Sequence, residues 1–146
     1  MESIWWYIFD IMGTLAFAVS GVLVAVSKRM DLFGIFVLAA STAIGGGIIR
    51  DLMLGHTPPI ALQSSLYFFL IIAAMLGTTA MIRYFDAHIR SKVMHHSAYI
   101  YLAGDTIGLA SFTITGTLSG LYFNPDMWVL IIMLGVITAV GGGVIR

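Results

Sequence analysis

The 146-residue chain has no cysteine and only three prolines, and charged side chains make up just 10% of it. Without cysteine there is no disulfide frame, no thiolate nucleophile and no cysteine-based zinc site. Soluble domains are about 25% charged, so this scarcity excludes an ordinary water-exposed surface. Lys and Arg number 7, Asp and Glu number 7, and the formal net charge is zero. No basic excess therefore points to nucleic acid. No nucleophile–base arrangement and no H-E-x-x-H spacing is present, which speaks against an enzyme, and nothing points to a cofactor. The start "MESIWWYIFD" has no basic n-region and no small-residue cleavage site. It reads as part of a first membrane span, not as a removable signal peptide.

What the chain does have is apolar surface. It is 60% hydrophobic, with a mean hydropathy of +1.00. A chain of this length could not bury so much of it in a water-soluble core, so the surrounding solvent is lipid. A membrane helix needs about 20 mostly apolar residues. Five segments qualify: 4–27, 32–54, 60–82, 98–122 and 127–146. The expected fold class is an all-α polytopic membrane protein. Pro58 and Pro59 suit a turn into the third span, since proline is tolerated at a helix start. Trp5, Trp6, Tyr7, Tyr99, Tyr101 and Trp128 lie near span ends, where aromatics collect at the membrane interface.

The basic residues set an orientation. Lys28 and Arg29 follow the first span, while Arg83, Arg90 and Lys92 lie between the third and fourth. Both connections fall on one side, which the positive-inside tendency makes cytoplasmic, leaving the N-terminus outside. Lys28, Arg29, Arg90 and Lys92 are candidates for contact with anionic lipid headgroups. His88, His95 and His96 belong to the same basic connection and read as part of a solvated, lipid-facing loop.

The chain also repeats itself. "DIMGTLAFAVSG" (10–21) and "DTIGLASFTITG" (105–116) share Asp, Gly, Phe and Gly at a constant offset of 95. Asp31 and Asp126 keep that offset. "GGGIIR" (45–50) then matches "GGGVIR" (141–146) at an offset of 96, which requires one inserted residue. Matches in Asp, Gly, Phe and Arg carry more weight than matches in Leu or Val, because apolar segments resemble one another by accident. Three spans separate the two starts, and an odd number reverses direction. The second copy is therefore inverted, an arrangement that places transport sites near the midplane. Residues 1–97 make the first three-helix repeat with its cytoplasmic connection, and 98–146 begin the second. Because the second copy stops at Arg146, the native protein is expected to continue for one or two more spans.

Three consecutive glycines invite a bend or unwound turn, since each costs about 1 kcal/mol relative to alanine within a helix. The second and fifth spans are expected to be broken at Gly45, Gly46, Gly47 and at Gly141, Gly142, Gly143. The alternative is a kink that serves helix packing. Gly13, Gly21, Gly104, Gly108, Gly116 and Gly120 fit close helix contacts.

Charges flank both triplets. Asp10 lies roughly 9 Å inside the outer face at 1.5 Å per residue, and Arg50 approaches the same face. Asp105 and Arg146 both lie toward the cytoplasm. Pairing within each repeat would keep these charges from lipid. They are candidates for an ion pathway, or alternatively for structural ion pairs. Asp51 is either part of that pathway or a surface residue at a helix end. Unpaired arginines would favour anions, so a cation pathway requires Arg50 and Arg146 to be paired, turned aside or used as a gate. Ser41, Thr42, Ser111, Thr113, Thr115 and Thr117 either line a polar path or bond back to their own helices.

With "GGGIIRDLMLGHTPP" and "GGGVIR" each following a D-x-x-G-x-x-x-F-x-x-x-G helix, the chain resembles the bacterial members of the TRIC (trimeric intracellular cation) channel family. That family has also been catalogued as glycine transporters. The resemblance covers essentially the whole chain. It implies seven helices, built as two inverted triplets plus a last one, in a homotrimer of the bacterial plasma membrane. It also implies a K+-permeable pore in each subunit, beside the second and fifth helices. The pore positions would be Gly45 to Gly47 with Arg50, and Gly141 to Gly143 with Arg146. A carrier of glycine or another small neutral solute is the competing expectation, since it needs the same architecture.

Overall fold

The computed structural model describes the backbone of residues 3–88 and 93–146, and side chains within 3–84 and 99–146. Arg90 and Lys92, and the side chains of His88, His95 and His96, lie outside the described residues.

Helix α1 spans Ile4–Ser27, with the Ser3 hydroxyl capping its start by accepting from the Trp6 amide. It closes in a Schellman turn: the Met30 amide donates to the Ala25 carbonyl and the Arg29 amide to that of Val26. That motif places a left-handed residue just past the helix end, here Arg29 at φ 55°. Asp31 then caps α2, Leu32–Met53, accepting from the Gly34 amide at 2.9 Å. A second Schellman turn ends α2, with Gly55 at φ 74° in the left-handed position.

Pro59 opens a four-residue helix, α3 (Ile60–Gln63), and extended Ser64 separates it from α4 (Ser65–His88). The third expected span, 60–82, is therefore interrupted near its start. The Ser64 hydroxyl accepts from the Leu66 amide, a local bond that competes with helix continuation. Helix α5 covers Val93–Phe123 and α6 covers Trp128–Ile145. Met127, not Asp126, occupies the cap position of α6. The residue inserted between the repeats thus falls in this turn.

Helices α1, α2, α4 and α6 are long and apolar enough to cross a membrane. Among the described residues helix α5, the fourth expected span, falls outside that group. Between Gly104 and Gly120 it is rich in glycine, serine and threonine. Among the described residues it packs most extensively along α1 and α6, with Gly108, Ser111, Thr115, Gly116, Ser119 and Gly120 buried. Large apolar side chains such as Phe33, Phe69, Trp128 and Val129 face outward, as expected where the solvent is hydrocarbon.

Among the described residues, two apolar clusters hold the helices together. One joins α1, α2 and α4 through Ala18, Val22, Ala39, Ala43, Ile71 and Met75. The other lies where the repeats meet and contains Phe17, Phe112 and Ala139. The duplication is visible in these contacts. A Cβ on Gly13 would meet the Phe112 ring at 2.8 Å, and one on Gly108 would collide with the Phe17 ring. Gly108 and Phe112 are the positions 95 residues after Gly13 and Phe17, so one contact occurs twice, with the helices exchanged. The two rings pack edge to face, 5.3 Å between centroids.

Candidate functional site

The glycine triplets do not break their helices. Helix α2 runs unbroken through Gly45, Gly46 and Gly47, and α6 through Gly141, Gly142 and Gly143. The expectation of broken second and fifth helices is corrected by the way the two helices cross. A Cβ on Gly46 would collide with the Thr138 carbonyl oxygen, and one on Gly142 with that of Thr42. These two contacts are again copies, offset by 96. Each glycine presents a Cα–H to a facing carbonyl, a weak attraction that recurs at close helix crossings. Close approach offsets the poor helix propensity, so the backbone has no need to unwind.

Within each triplet only the middle glycine faces a carbonyl oxygen of the other helix. Gly45 faces the tip of Ile145, Gly141 lies against the Gly46 backbone, and Gly47 and Gly143 have open space apart from the ends of Arg50 and Arg146. Gly104 and Gly108 face α1, Gly116 and Gly120 face α6, and Gly21 lies against Ala39 and Thr42 of α2.

Near the α2 end of this crossing stands Arg50, 2% exposed. Its Nη1 donates to Asp10 Oδ1 at 3.0 Å. Its Nε and Nη2 both reach Asp51 Oδ1, at 2.9 and 2.8 Å. Asp51 Oδ2 accepts from the Ile60 amide at 2.8 Å, so Asp51 is a buried link between Arg50 and the start of α3, not a surface residue. Tyr67 of α4 donates to Asp10 Oδ2 at 2.5 Å. The guanidinium lies 4.7 Å from the Trp6 ring centroid. Buried charge is tolerated only when paired and hydrogen-bonded, and Arg50 meets both conditions.

The second repeat builds a related centre. Arg146 Nη2 donates to Asp105 Oδ1 at 2.7 Å and to the Tyr101 hydroxyl at 3.0 Å. Nη1 bonds the Ser20 hydroxyl of α1. The guanidinium lies 4.8 Å from the Tyr101 ring. The pairing of Asp and Arg expected within each repeat is therefore present in both. Asp10 pairs with Arg50 and Ser20 bonds Arg146. Ten residues of α1 separate the two, so the centres stand about 15 Å apart along that helix.

Sequence reasoning missed the aromatic partner of each arginine. Trp6 and Tyr101 read as interfacial anchors, yet Trp6 is fully buried and both rings lie beneath guanidinium groups. The available signal was an aromatic one helical turn before each repeated Asp, at the same offset of 95. Thr42, Thr113, Thr115 and Thr117 bond back to carbonyls of their own helices, the alternative open for those hydroxyls. Lys28 and Arg29 are exposed in the α1–α2 turn.

Comparison with known proteins adds to this geometry. A family model described as "Glycine transporter" matches residues 7–83 and 102–146. A UPF0126 membrane protein of Vibrio cholerae is 42% identical over 140 residues, covering 96% of this chain and 55% of the relative. The UPF0126 inner membrane protein YadS of Escherichia coli is 37% identical over 141 residues, covering 96% and 63%. A solved TRIC cation channel superposes with a TM-score of 0.75 at 41% identity, over 95% of this chain and 64% of the other. The TRIC trimeric intracellular cation channel orthologue from Rhodobacter sphaeroides gives 0.76 at 34% identity, over 97% and 68%. The chain thus spans between about half and two-thirds of the length of the proteins it matches. Two arginine centres related by an inverted repeat, a glycine crossing between them and these similarities lead to one assignment: the chain is an integral membrane protein of the glycine transporter family, to which the UPF0126 proteins and the bacterial TRIC-type channels are homologous.

Proposed function

We propose that this protein conducts monovalent cations, K+ among them, along a pathway within each subunit beside α2 and α6. The observation that carries the proposal is the neutralisation of both arginines. A row of unpaired arginines would favour anions. Here each guanidinium is paired with an Asp of its own repeat and covered by an aromatic face, and around Arg50 the carboxylates outnumber it. Gly45 to Gly47 with Arg50, Asp51 and Asp10 flank one end of the pathway. Gly141 to Gly143 with Arg146 and Asp105 flank the other. The similar solved structures are cation channels, which supports the same reading.

The working assembly in this proposal is a homotrimer in the bacterial inner membrane, with the N-terminus outside. Exposed Lys28 and Arg29 support that orientation, as positive charge favours the cytoplasmic side, and there they would meet anionic lipid headgroups. Residues 1–97 and 98–146 act as two inverted units around the pathway. A second reading, a carrier for glycine or another small neutral solute, is favoured by the description of the matching family model and by the suitability of inverted repeats for alternating access.

Planar-bilayer recording under a KCl gradient tests the first reading, with discrete current steps reversing toward the K+ equilibrium potential as the expected result. Saturable counterflow of labelled glycine into proteoliposomes, without current steps, would replace the channel with the carrier.

A further inference from the structure

The two arginine centres differ in how they are tied to the opposite repeat. Arg146 reaches the other repeat directly, through the Ser20 hydroxyl of α1. Arg50 has no such bond among the described residues. Its carboxylate partners, Asp10 and Asp51, belong to its own repeat. What crosses between the repeats here is Trp6. One face of its indole lies under the Arg50 guanidinium at 4.7 Å, and its Nε1–H donates to the Ser119 hydroxyl of α5 at 2.9 Å. Trp6 is fully buried and Ser119 is 8% exposed. An indole N–H sealed from water requires an acceptor, so the bond fixes the ring plane. The ring plane in turn limits where the guanidinium can lie, because cation–π attraction acts over the face. The equivalent bond cannot form in the other copy. Tyr101 stands where Trp6 would be, and the position 95 residues before Ser119 is Val24.

We propose that Trp6 and Ser119 are positioning residues for Arg50, and that the Trp6–Ser119 hydrogen bond transmits the position of α5 to the outer end of the ion pathway. The proposal rests on the channel reading for its functional consequence, but not for the contact itself. Motion of α5 at Ser119 would rotate the indole, shift the guanidinium off Asp10 and change the fraction of time the pathway is open.

The test uses Trp6→Phe, Ser119→Ala and the pair combined, in the full-length protein. Trp6→Phe keeps an aromatic face and loses the N–H. Ser119→Ala removes the acceptor. Single-channel recording is expected to show open probability changed by the same factor, about threefold to tenfold for one lost hydrogen bond, in all three variants. Ser119→Thr, which keeps a hydroxyl, should restore the unmodified value. A purely structural role would instead lower the number of active channels and leave open probability per channel unchanged. Unchanged open probability in both single variants would overturn the proposal, as would effects that multiply in the double variant. A second measurement does not need conduction. In a Trp5→Phe/Trp128→Phe background, Trp6 is the one remaining tryptophan of the three in this chain, provided that any Trp beyond it is replaced too. The indole N–H band in resonance Raman should move to its unbonded position on Ser119→Ala, and an unmoved band overturns the contact. Absence of current from unmodified protein would refute the channel reading, and the Raman band would then decide the contact alone.

Discussion

Alanine replacement along one glycine triplet separates a packing role from a hinge. At Gly46 the added Cβ would lie well under 3.0 Å from the Thr138 carbonyl oxygen. That oxygen belongs to a helix backbone and cannot rotate away. A relaxed carbon–oxygen contact needs about 3.3 Å, so α2 and α6 must part by something on the order of an ångström. Overpacking of this kind costs typically 1–3 kcal/mol, and the rigid partner points to the upper end. Better helix propensity returns about 1 kcal/mol, leaving a net loss of roughly 2 kcal/mol. At about 2–4 °C per kcal/mol, the figure for chains of roughly 150–250 residues, the thermal midpoint in detergent should fall by roughly 4–8 °C. At neighbouring Gly47 the nearest atom is the Arg50 Nη2 at 3.8 Å. Gly47→Ala should therefore keep the propensity gain and match or slightly exceed the unmodified midpoint. The second repeat should behave alike: Gly142→Ala is damaging, Gly143→Ala is not. A hinge would respond to alanine at any of the three positions. Equal midpoints for Gly46→Ala and Gly47→Ala would refute the crossing argument.

Other substitutions test the remaining contacts. Gly13→Ala should destabilise the protein through the Phe112 ring, and Phe112→Leu should rescue it in the double variant; a double variant worse than both singles would count against the contact. Asp10→Ala strips Arg50 and Tyr67 of a shared partner, and breaking a buried pair costs roughly 3–5 kcal/mol, readable as a large fall in thermal midpoint. A midpoint within a degree of the unmodified protein would show that the pair is not buried. Gly77→Ala, with nothing within 4 Å of the new methyl, should raise the midpoint by a few degrees through propensity of about 1 kcal/mol.

The membrane class and the duplication could be read directly from the residues. Hydropathy placed the first, second and fifth spans to within a residue, whereas the third is interrupted at extended Ser64 and runs on past 82. The Asp–Arg pairing was also legible, because the first two helices of each repeat run in opposite directions and bring its Asp and Arg to one depth. The glycine triplets were misread for an identifiable reason. Propensity concerns one helix in isolation, whereas the cost of glycine is offset here by a second helix 96 residues away. That partner becomes visible only when the two triplets are considered together. Trp6 was misread because position along a span does not reveal which way a ring faces. Asp51 was ambiguous because its second bond, to the Ile60 amide, depends on the turn that closes over it. Among the described residues helix α5 falls short of a span by hydropathy for a related reason: Gly108, Ser111, Thr115, Gly116, Ser119 and Gly120 are buried where α5 packs on α1 and α6.

The central claim is that both arginines are neutralised within their own repeats, so that cations pass. The most direct measurement is the reversal potential under a KCl gradient for unmodified protein beside Asp10→Asn/Asp105→Asn. Unmodified protein should reverse toward the K+ equilibrium potential, and the double variant, with its arginines less compensated, should shift toward that of Cl−. Reversal of the unmodified protein toward Cl−, or an identical potential in the variant, would contradict the account.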